Sequence, residues 1–257
     1  MSYKTISLEM KDHTAIVNIP SLDDDQTSIK QLSVELNNLC EDLNMDEKTR
    51  VVIITGSDEK SFSLGKDTLQ SASIANNSDS IKLFSIAEAI SKLDCPVIAA
   101  INGDAIGLGM ELALSCDLRI AVESALFGLP HVTIGLIPWD GGTQRLSRLV
   151  GKGKAMEMII TGEIIDTQEA LRIGLVNKVF SIDKLMTETI EIANKMASSA
   201  PIALKHVKEA IYKGLDLTLE QGLRLEGDLY FLLHTTNDRT EGITSFREKR
   251  TPKFEGR

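Results

Sequence analysis

The sequence is poor in aromatic residues and in cysteine, and it contains no long hydrophobic run. Aromatic residues make up 4% of the 257 residues, and there are three cysteines. Cys40, Cys95 and Cys116 lack C-x-x-C spacing, so we expect reduced thiols and neither a disulfide framework nor a metal site. No apolar run reaches the ~18 residues of a membrane span, and the N-terminus lacks a basic-then-apolar signal region. These absences predict a cytoplasmic globular protein without a membrane partner.

Basic residues are also scarce relative to acidic ones. The formal net charge of −9 argues against nucleic-acid binding, which needs a basic surface. The exception is the tail 247–257, which carries five basic and two acidic residues. The tail is either a solvated terminal helix or a contact for a phosphorylated ligand. The sequence has no G-x-G-x-x-G motif, and "GKGK" at 151–154 lacks the spacing of a phosphate-binding loop.

What is present indicates an α/β protein. Apolar runs at 4–10 and 14–19 predict a β-hairpin, and a helix should follow, with one apolar face formed by Ile29, Leu32, Leu36, Leu39 and Leu43. Buried strands are predicted at 50–56, 96–103 and 117–122, alternating with helices at 80–94 and 107–117. In the helix at 80–94, the residues expected to face inward are Ile81, Phe84, Ala87 and Ile90. Strands that alternate with helices are typical of α/β folds.

After about residue 143 the pattern becomes mainly helical. Asp166 with Glu169 predicts a capped helix that stops at Gly174, and "LVNKVF" is one last strand. Pro201 should begin another helix, and Thr218 with Gln221 should cap the next. We therefore expect a strand-rich body at 1–195 and a helical C-terminal region at 196–257.

Glycine turns follow two of the buried strands. "FSLGKD" (62–67) follows the strand at 50–56, and "INGDAIGLGMELALSCD" (101–117) follows the next. Each turn presents backbone N–H groups, the second at a helix N-terminus that carries partial positive charge. Facing each other, the turns would form a donor pair for a developing oxyanion. The alternative is close strand–helix packing, which glycine also permits.

Five motifs in this order resemble the crotonase superfamily, the enoyl-CoA hydratases and isomerases. The resemblance covers residues 4–257, and the motifs are "FSLGKD", "PVIAAINGDAIGLGMELALSCD", "FGLPHVTIGLIPWDGGTQRL", "AMEMIITGEIIDTQEALRIGLVNKV" and "FREKRTPKF". It implies a spiral of ββα units with a C-terminal helical region that drives trimerisation, often into a dimer of trimers. It also implies an acyl-CoA thioester substrate whose enolate is stabilised by two backbone N–H groups. By position these belong to Leu64 and to Leu108, where the family usually has glycine.

The resemblance places the two proton-moving groups of the hydratases on Glu111 and His131. Glu111 lies among apolar residues of a helix predicted to be buried, where a carboxyl group is costly without a partner or a task. His131 stands where ordinary hydratases have a second glutamate. A histidine in an apolar run is more often a core residue, but at this matched position we expect it to face the acyl group and to hold a water or pass a proton.

Asp140 departs from the ordinary hydratase pattern, which has a small residue there, and Trp139 lies beside it. Asp140 occupies a position where dienoyl-CoA isomerases, dihydroxynaphthoyl-CoA synthases and 4-chlorobenzoyl-CoA dehalogenase resemble this chain in having an aspartate that acts on the substrate. Its alternative role is to cap the helix that begins with "GGTQRL". Trp139 is either a flat wall for an unsaturated acyl group or a core residue.

The resemblance also suggests which residues contact the substrate. Phe246 and Lys249 match residues that reach the nucleotide from a neighbouring subunit, and Lys66 is placed to meet a phosphate. The full set of expected substrate contacts is Phe62, Gly65, Lys66, Asp67, Gly107, Trp139, Phe246 and Lys249. No metal or redox cofactor is implied, because coenzyme A enters as part of the thioester.

The expected reaction is syn addition of water to an enoyl-CoA or dienoyl-CoA, or the reverse dehydration. Glu111 would be the principal acid/base, and Asp140 would act on extended substrates. Enzymatic alternatives are a double-bond isomerase and a hydrolase or decarboxylase on the same scaffold. The non-enzymatic alternative is a catalytically inactive binding subunit.

Overall fold

The computed structural model describes residues 3–20, 26–57, 62 and 85–257, without the side chains of 26–28. The predicted site residues Leu64, Gly65, Lys66 and Asp67 lie outside the described residues.

The strands of the described part form two sheets. They are β1 (Ser7–Lys11), β2 (Thr14–Ile19), β3 (Val51–Gly56), β4 (Val97–Ile101), β5 (Ala105–Ile106), β6 (Leu118–Val122), β7 (Leu126–Gly128), β8 (Ile164–Asp166) and β9 (Lys178–Phe180). One sheet has the order β1-β2-β3-β4-β6-β9, and the smaller one has the order β5-β7-β8. Neighbours in the large sheet are parallel, apart from the antiparallel hairpin β1–β2. The predicted hairpin and the predicted buried strands are confirmed.

Helices cover the sheets and form the C-terminal region. In chain order they are α1 (Gln26–Met45), α2 (Ala87–Ser91), α3 (Leu108–Ser115), α4 (Gly142–Val150), α5 (Lys152–Thr161), α6 (Thr167–Arg172), α7 (Ile182–Ala197), α8 (Pro201–Gly214), α9 (Leu219–Leu233) and α10 (Asn237–Glu248). A 3-10 helix, Pro130–Ile134, follows β7. No helix in the described ranges is both long and apolar enough to cross a membrane.

The predicted apolar faces and caps agree well with the structure. All five apolar positions on the predicted face of α1 are buried. Of the expected helix at 80–94, the described part is α2, with Ala87 and Ile90 buried as predicted, whereas Ile81 and Phe84 lie outside the described residues. Asp166 caps α6 through the amide of Glu169, and Thr218 with Gln221 forms a complete capping box on α9.

The tail does not form the terminal helix that was one interpretation of its sequence. Helix α10 ends at Glu248, and Lys249 adopts a left-handed backbone with φ 54°. The chain then turns back, so that the amides of Glu255 and Gly256 donate to the carboxylate of Asp238 at 2.7 and 2.9 Å. The tail thus satisfies polar groups at the start of α10 instead of extending it. The domain boundary at 195/196 stays a prediction, although it falls near the end of α7.

Candidate active site

Helix α3 begins where the chain leaves the carboxyl end of β4 and passes through β5. Gly107 caps it with φ 63° and ψ −125°, a conformation that glycine adopts without strain. The amide of Gly107 donates to the carbonyl of Gly128 at 3.0 Å, which links the ends of β5 and β7. Every residue of α3 is buried, including Glu111. The sequence therefore places a carboxyl group in the core through a helix whose other side chains are largely apolar.

Leu108 occupies the first position of α3, where an amide N–H has no acceptor within the helix. The positive end of the helix dipole adds to its attraction for an anion. Among the described non-glycine residues, positive φ angles occur at Asp12 and Lys249, so Leu108 has an ordinary backbone. A side chain at this position is therefore compatible with the predicted donor role.

The Glu111 carboxylate is held by one oxygen and left unpaired at the other. Its Oε1 accepts from the amides of Asp140 and Gly142 at 2.8 and 2.9 Å. Its Oε2 is buried and has no hydrogen-bond partner in the described part of the chain. Burial raises the pKa of Glu111 to about 7, and the nearby charge of Asp140 adds to the rise, whereas the two amides oppose it. A carboxyl group that titrates near neutral pH is suited to proton transfer.

Gly142 is required for this arrangement. A Cβ atom there would lie 2.7 Å from Cβ of Pro138 and 3.0 Å from Oε1 of Glu111. Any side chain would therefore displace the turn or the carboxylate. The sequence interpretation treated Gly142 only as part of a helix start, although the Gly-Gly doublet at 141–142 was the available signal.

His131 faces the unpaired oxygen of Glu111. The 3-10 helix after β7 buries its ring, whose Nε2 lies 3.9 Å from Oε2 of Glu111. Neither ring nitrogen has a hydrogen-bond partner of good geometry among the described residues. Burial lowers the pKa of His131 to about 4, although the backbone of Leu129 favours protonation. The imidazole is therefore neutral at pH 7.

Unpaired buried polar atoms are rare in folded proteins, and three of the eight in the described part of the chain lie here, on Glu111 and His131. Nε2 of His131 and Oε2 of Glu111, which are 3.9 Å apart, are too far apart for a direct hydrogen bond. A small polar group that contacts both residues would satisfy them. The structure thus brings together two side chains that the sequence separates by twenty positions.

Asp140 lies beside Glu111, but its carboxylate is engaged elsewhere. Oδ1 accepts from the hydroxyl of Ser85 at 2.6 Å, and Oδ2 accepts from the amides of Ile86 and Ala87, each at 2.8 Å. The predicted cap on the "GGTQRL" helix is wrong, because Gly141 is the N-cap of α4 and no side chain caps that helix. Asp140 instead satisfies the amides at the start of α2. A direct catalytic role for Asp140 stays a prediction.

The remaining predicted contacts fall in different places. Phe62 is fully buried in the core, where its amide donates to the carbonyl of Asp104 at 3.1 Å. It therefore supports the turn before α3 by packing. Trp139 is half-buried and packs against the core, which agrees with the packing alternative. Phe246 is 85% exposed on α10, and Lys249 is exposed just beyond it.

The sequence and the fold both match known proteins over nearly the whole chain. A profile of the enoyl-CoA hydratase/isomerase family matches residues 25–257. The chain belongs to this family. It is 38% identical over 260 residues to a crotonyl-CoA hydratase of Syntrophomonas wolfei, with 99% of each chain covered. It is 39% identical over 259 residues to a short-chain-enoyl-CoA hydratase of Clostridium acetobutylicum, with 100% of this chain and 98% of the relative covered.

The solved structures of the family agree with the fold described above. An enoyl-CoA hydratase from Bacillus anthracis superposes with a TM-score of 0.89 at 41% identity, and 99% of this chain and 100% of that chain are covered. The predicted crotonase fold is therefore confirmed. The helical C-terminal region is present, whereas trimerisation stays a prediction.

Proposed function

We propose that this protein is an enoyl-CoA hydratase, a hydro-lyase that adds water to the double bond next to a thioester carbonyl. The product would be a 3-hydroxyacyl-CoA, and the same site would catalyse the reverse dehydration. The observation that carries the proposal is the buried Glu111 carboxyl, with one oxygen held by two amides and the other left free toward His131. Membership of the hydratase/isomerase family supports the reaction class.

In the proposed mechanism, a single carboxylate moves one proton twice. Oε2 of Glu111 takes a proton from water as the water oxygen bonds to the β-carbon. The electron pair of the double bond moves into the thioester, and the amide N–H groups of Leu108 and Leu64 stabilise the enolate oxygen. Glu111 then gives the proton to the α-carbon and becomes a carboxylate again. Because one group serves both ends, water adds to one face of the double bond.

His131 would orient the attacking water through a neutral ring nitrogen. Its low pKa, about 4, prevents it from donating a proton readily at neutral pH. A neutral imidazole also attracts water less strongly than a carboxylate does. We therefore propose that this site hydrates crotonyl-CoA more slowly than a site with a carboxylate at position 131 would.

The nucleotide part of the substrate would be held by Phe246 and Lys249. Phe246 and Lys249 are exposed in the single chain, as residues that reach a neighbouring subunit's ligand would be. We propose a homotrimer or a dimer of trimers with acyl-CoA as its partner. The reaction involves no net oxidation or reduction, so coenzyme A would be needed only as the carrier of the acyl group.

Product mass tests this function directly. The protein is incubated with enoyl-, dienoyl- and 3-hydroxyacyl-CoAs, and the products are analysed by mass spectrometry beside the Glu111→Gln variant. Hydration adds one water in the wild type and not in the variant. An unchanged mass with a moved double bond would indicate an isomerase, and free coenzyme A a hydrolase. Loss of carbon dioxide from an added 2-carboxyacyl-CoA would indicate a decarboxylase, and no change with any thioester would leave a binding subunit.

A further inference from the structure

The carboxylate of Asp140 and its own backbone amide serve two different parts of the structure. The carboxylate accepts three hydrogen bonds from the segment 85–87, and the amide donates to Oε1 of Glu111. Asp140 is 6% exposed, so these bonds are shielded from water. We propose that Asp140 is a positioning residue, which fixes the turn at 138–142 against the start of α2 and thereby sets the direction of the Glu111 carboxylate. This inference rests on the proposed hydratase function.

Few hydrogen bonds separate the anchored carboxylate of Asp140 from the carboxylate of Glu111. Both amides that hold Glu111 belong to the turn 138–142, and the one at 140 is part of the residue whose side chain is anchored. A second bond supports the turn from α4, because Arg145 donates to the carbonyl of Asp140 at 2.7 Å. Without the anchor at 85–87, the turn would lose three buried hydrogen bonds. The carboxylate of Glu111 would then be held by amides whose own position is less restricted.

Catalysis should be sensitive to such a change. An error of about 1 Å in the placement of a reacting group can reduce rates about 10²-fold. Glu111 has only one free oxygen, and that oxygen must reach both the water and the α-carbon in the proposed mechanism. Partial rotation of the carboxylate would turn the free oxygen away from the water and the α-carbon. Asp140 would thus affect kcat while leaving the binding of the thioester largely unchanged.

The charge of Asp140 gives the proposal a second observable. The charged groups that face Glu111 are Asp140 in the turn and Arg145 on α4, and the neutral His131 faces it from the 3-10 helix. On α2, which packs against α3, Glu88 is exposed and pairs with Lys92. Of these groups, Asp140 raises the pKa of Glu111 and Arg145 lowers it. Removing only the charge at 140 should therefore shift the titration of Glu111 to lower pH.

Glu35 offers a matched control for the structural cost. It is also buried, and its carboxylate accepts from the amides of Lys4, Thr5 and Ile6 at 3.0, 2.8 and 3.3 Å and from the Gln31 side chain at 2.7 Å. Glu35→Ala and Asp140→Ala thus each remove a buried carboxylate that accepts from several donors, although most donors to Glu35 are only partly buried. Only the second substitution changes the turn that holds Glu111.

The experiment measures kcat, KM and Tm for the wild type and for the Asp140→Ala, Asp140→Asn, Ser85→Ala and Glu35→Ala variants. We expect Asp140→Ala to lower kcat about 10²-fold, with KM changed less than about threefold. Ser85→Ala should lower kcat by a smaller factor, because it removes one of the three bonds. Asp140→Asn should retain most of kcat, because its amide oxygen can accept from Ile86 and Ala87. Equal effects of Asp140→Ala and Glu35→Ala on both kcat and Tm would overturn the proposal.

A titration that does not depend on turnover separates this inference from the proposed function. The Glu111 carboxyl is followed by carbon-13 NMR in protein labelled at glutamate, with Glu111→Gln to assign the signal. In Asp140→Asn the Glu111 titration should move to lower pH, and in Glu35→Ala it should not move. An unchanged titration in Asp140→Asn would contradict the role of Asp140 even if the wild type hydrates enoyl-CoA. A shifted titration in a protein without hydration activity would uphold the link between these residues and reject the hydratase function.

Discussion

Replacing Glu111 with glutamine should abolish turnover and, above neutral pH, make the protein more stable than the wild type. The amide oxygen of glutamine can accept the same two bonds from Asp140 and Gly142 that Oε1 accepts. The variant therefore keeps the turn and loses only the titrating carboxyl. A positioned acid/base contributes at least ~10²-fold to the rate, so kcat should fall by at least that factor.

The stability effect follows from the raised pKa. The Glu111 carboxyl titrates near 4.5 when exposed and at about 7 in the folded protein, mainly because of burial. Below 4.5 both states carry the proton, and the favourable contribution of this group to folding is complete. Between 4.5 and 7 the unfolded chain releases the proton while the folded protein keeps it, so the stability of the wild type falls as pH rises. The full change corresponds to about 3 kcal/mol.

Urea unfolding of both proteins at pH 5, 6, 7 and 8 measures this effect at fixed protein concentration. The difference in unfolding free energy, variant minus wild type, should increase steadily with pH and level off above about 7. The other titrating groups are common to the two proteins, so the contributions of those that do not interact with Glu111 cancel. Parallel pH dependence of the two curves would show that Glu111 does not carry a raised pKa and would refute the reasoning from its burial.

Further predictions concern the pH profile, the second water-binding group, the oxyanion donors and assembly. The kcat/KM for hydration should rise with pH through about 7, since Glu111 must be ionised, and dehydration should show the same limb; a bell centred below pH 6 would contradict this. His131→Glu should raise crotonyl-CoA hydration on the order of tenfold by restoring a charged water-binding group, and a lower rate would show that the imidazole is itself required. Acetoacetyl-CoA should bind more tightly than coenzyme A in calorimetry, because the Leu108 amide favours a delocalised oxyanion; equal affinities would argue against working oxyanion donors. Light scattering should give a trimer or larger species, because Tyr230, Phe231 and Phe246 expose 61%, 70% and 85% of their surface, and a stable monomer would contradict this.

Local patterns were sufficient to predict the elements that carry the site. The alternation of buried strands and glycine turns predicted α3 and its burial, and with it a carboxyl group in the core at Glu111. These signals are local, because helix periodicity and glycine conformation depend on neighbouring residues. Strands β7 and β8, of three residues each, are too short to show a period and are not predicted by the sequence pattern.

The contacts that define the site could not be predicted in the same way. Ser85 and Asp140 are separated by 55 positions, and Glu111 and Gly142 by 31. Their hydrogen bonds exist because α2, α3 and the turn 138–142 meet in the fold. Capping of the helix that follows was one of the two roles expected for Asp140, because an aspartate before a helix often caps it. The buried amides at the start of α2 were an equally suitable partner, and only the fold shows that they are adjacent.

Glu111 and Asp140 are neighbouring acidic residues, and their different surroundings suit them to different roles. Burial raises the pKa of both Glu111 and Asp140. Both oxygens of Asp140 accept hydrogen bonds, which oppose the rise and restrict the side chain, whereas one oxygen of Glu111 has no partner among the described residues. A proton-transfer group needs an oxygen that is not held by other hydrogen bonds and a pKa near the working pH, and of these two residues only Glu111 meets both conditions. The aspartate that resembles a second catalyst in the sequence is therefore better suited to holding the first one in place.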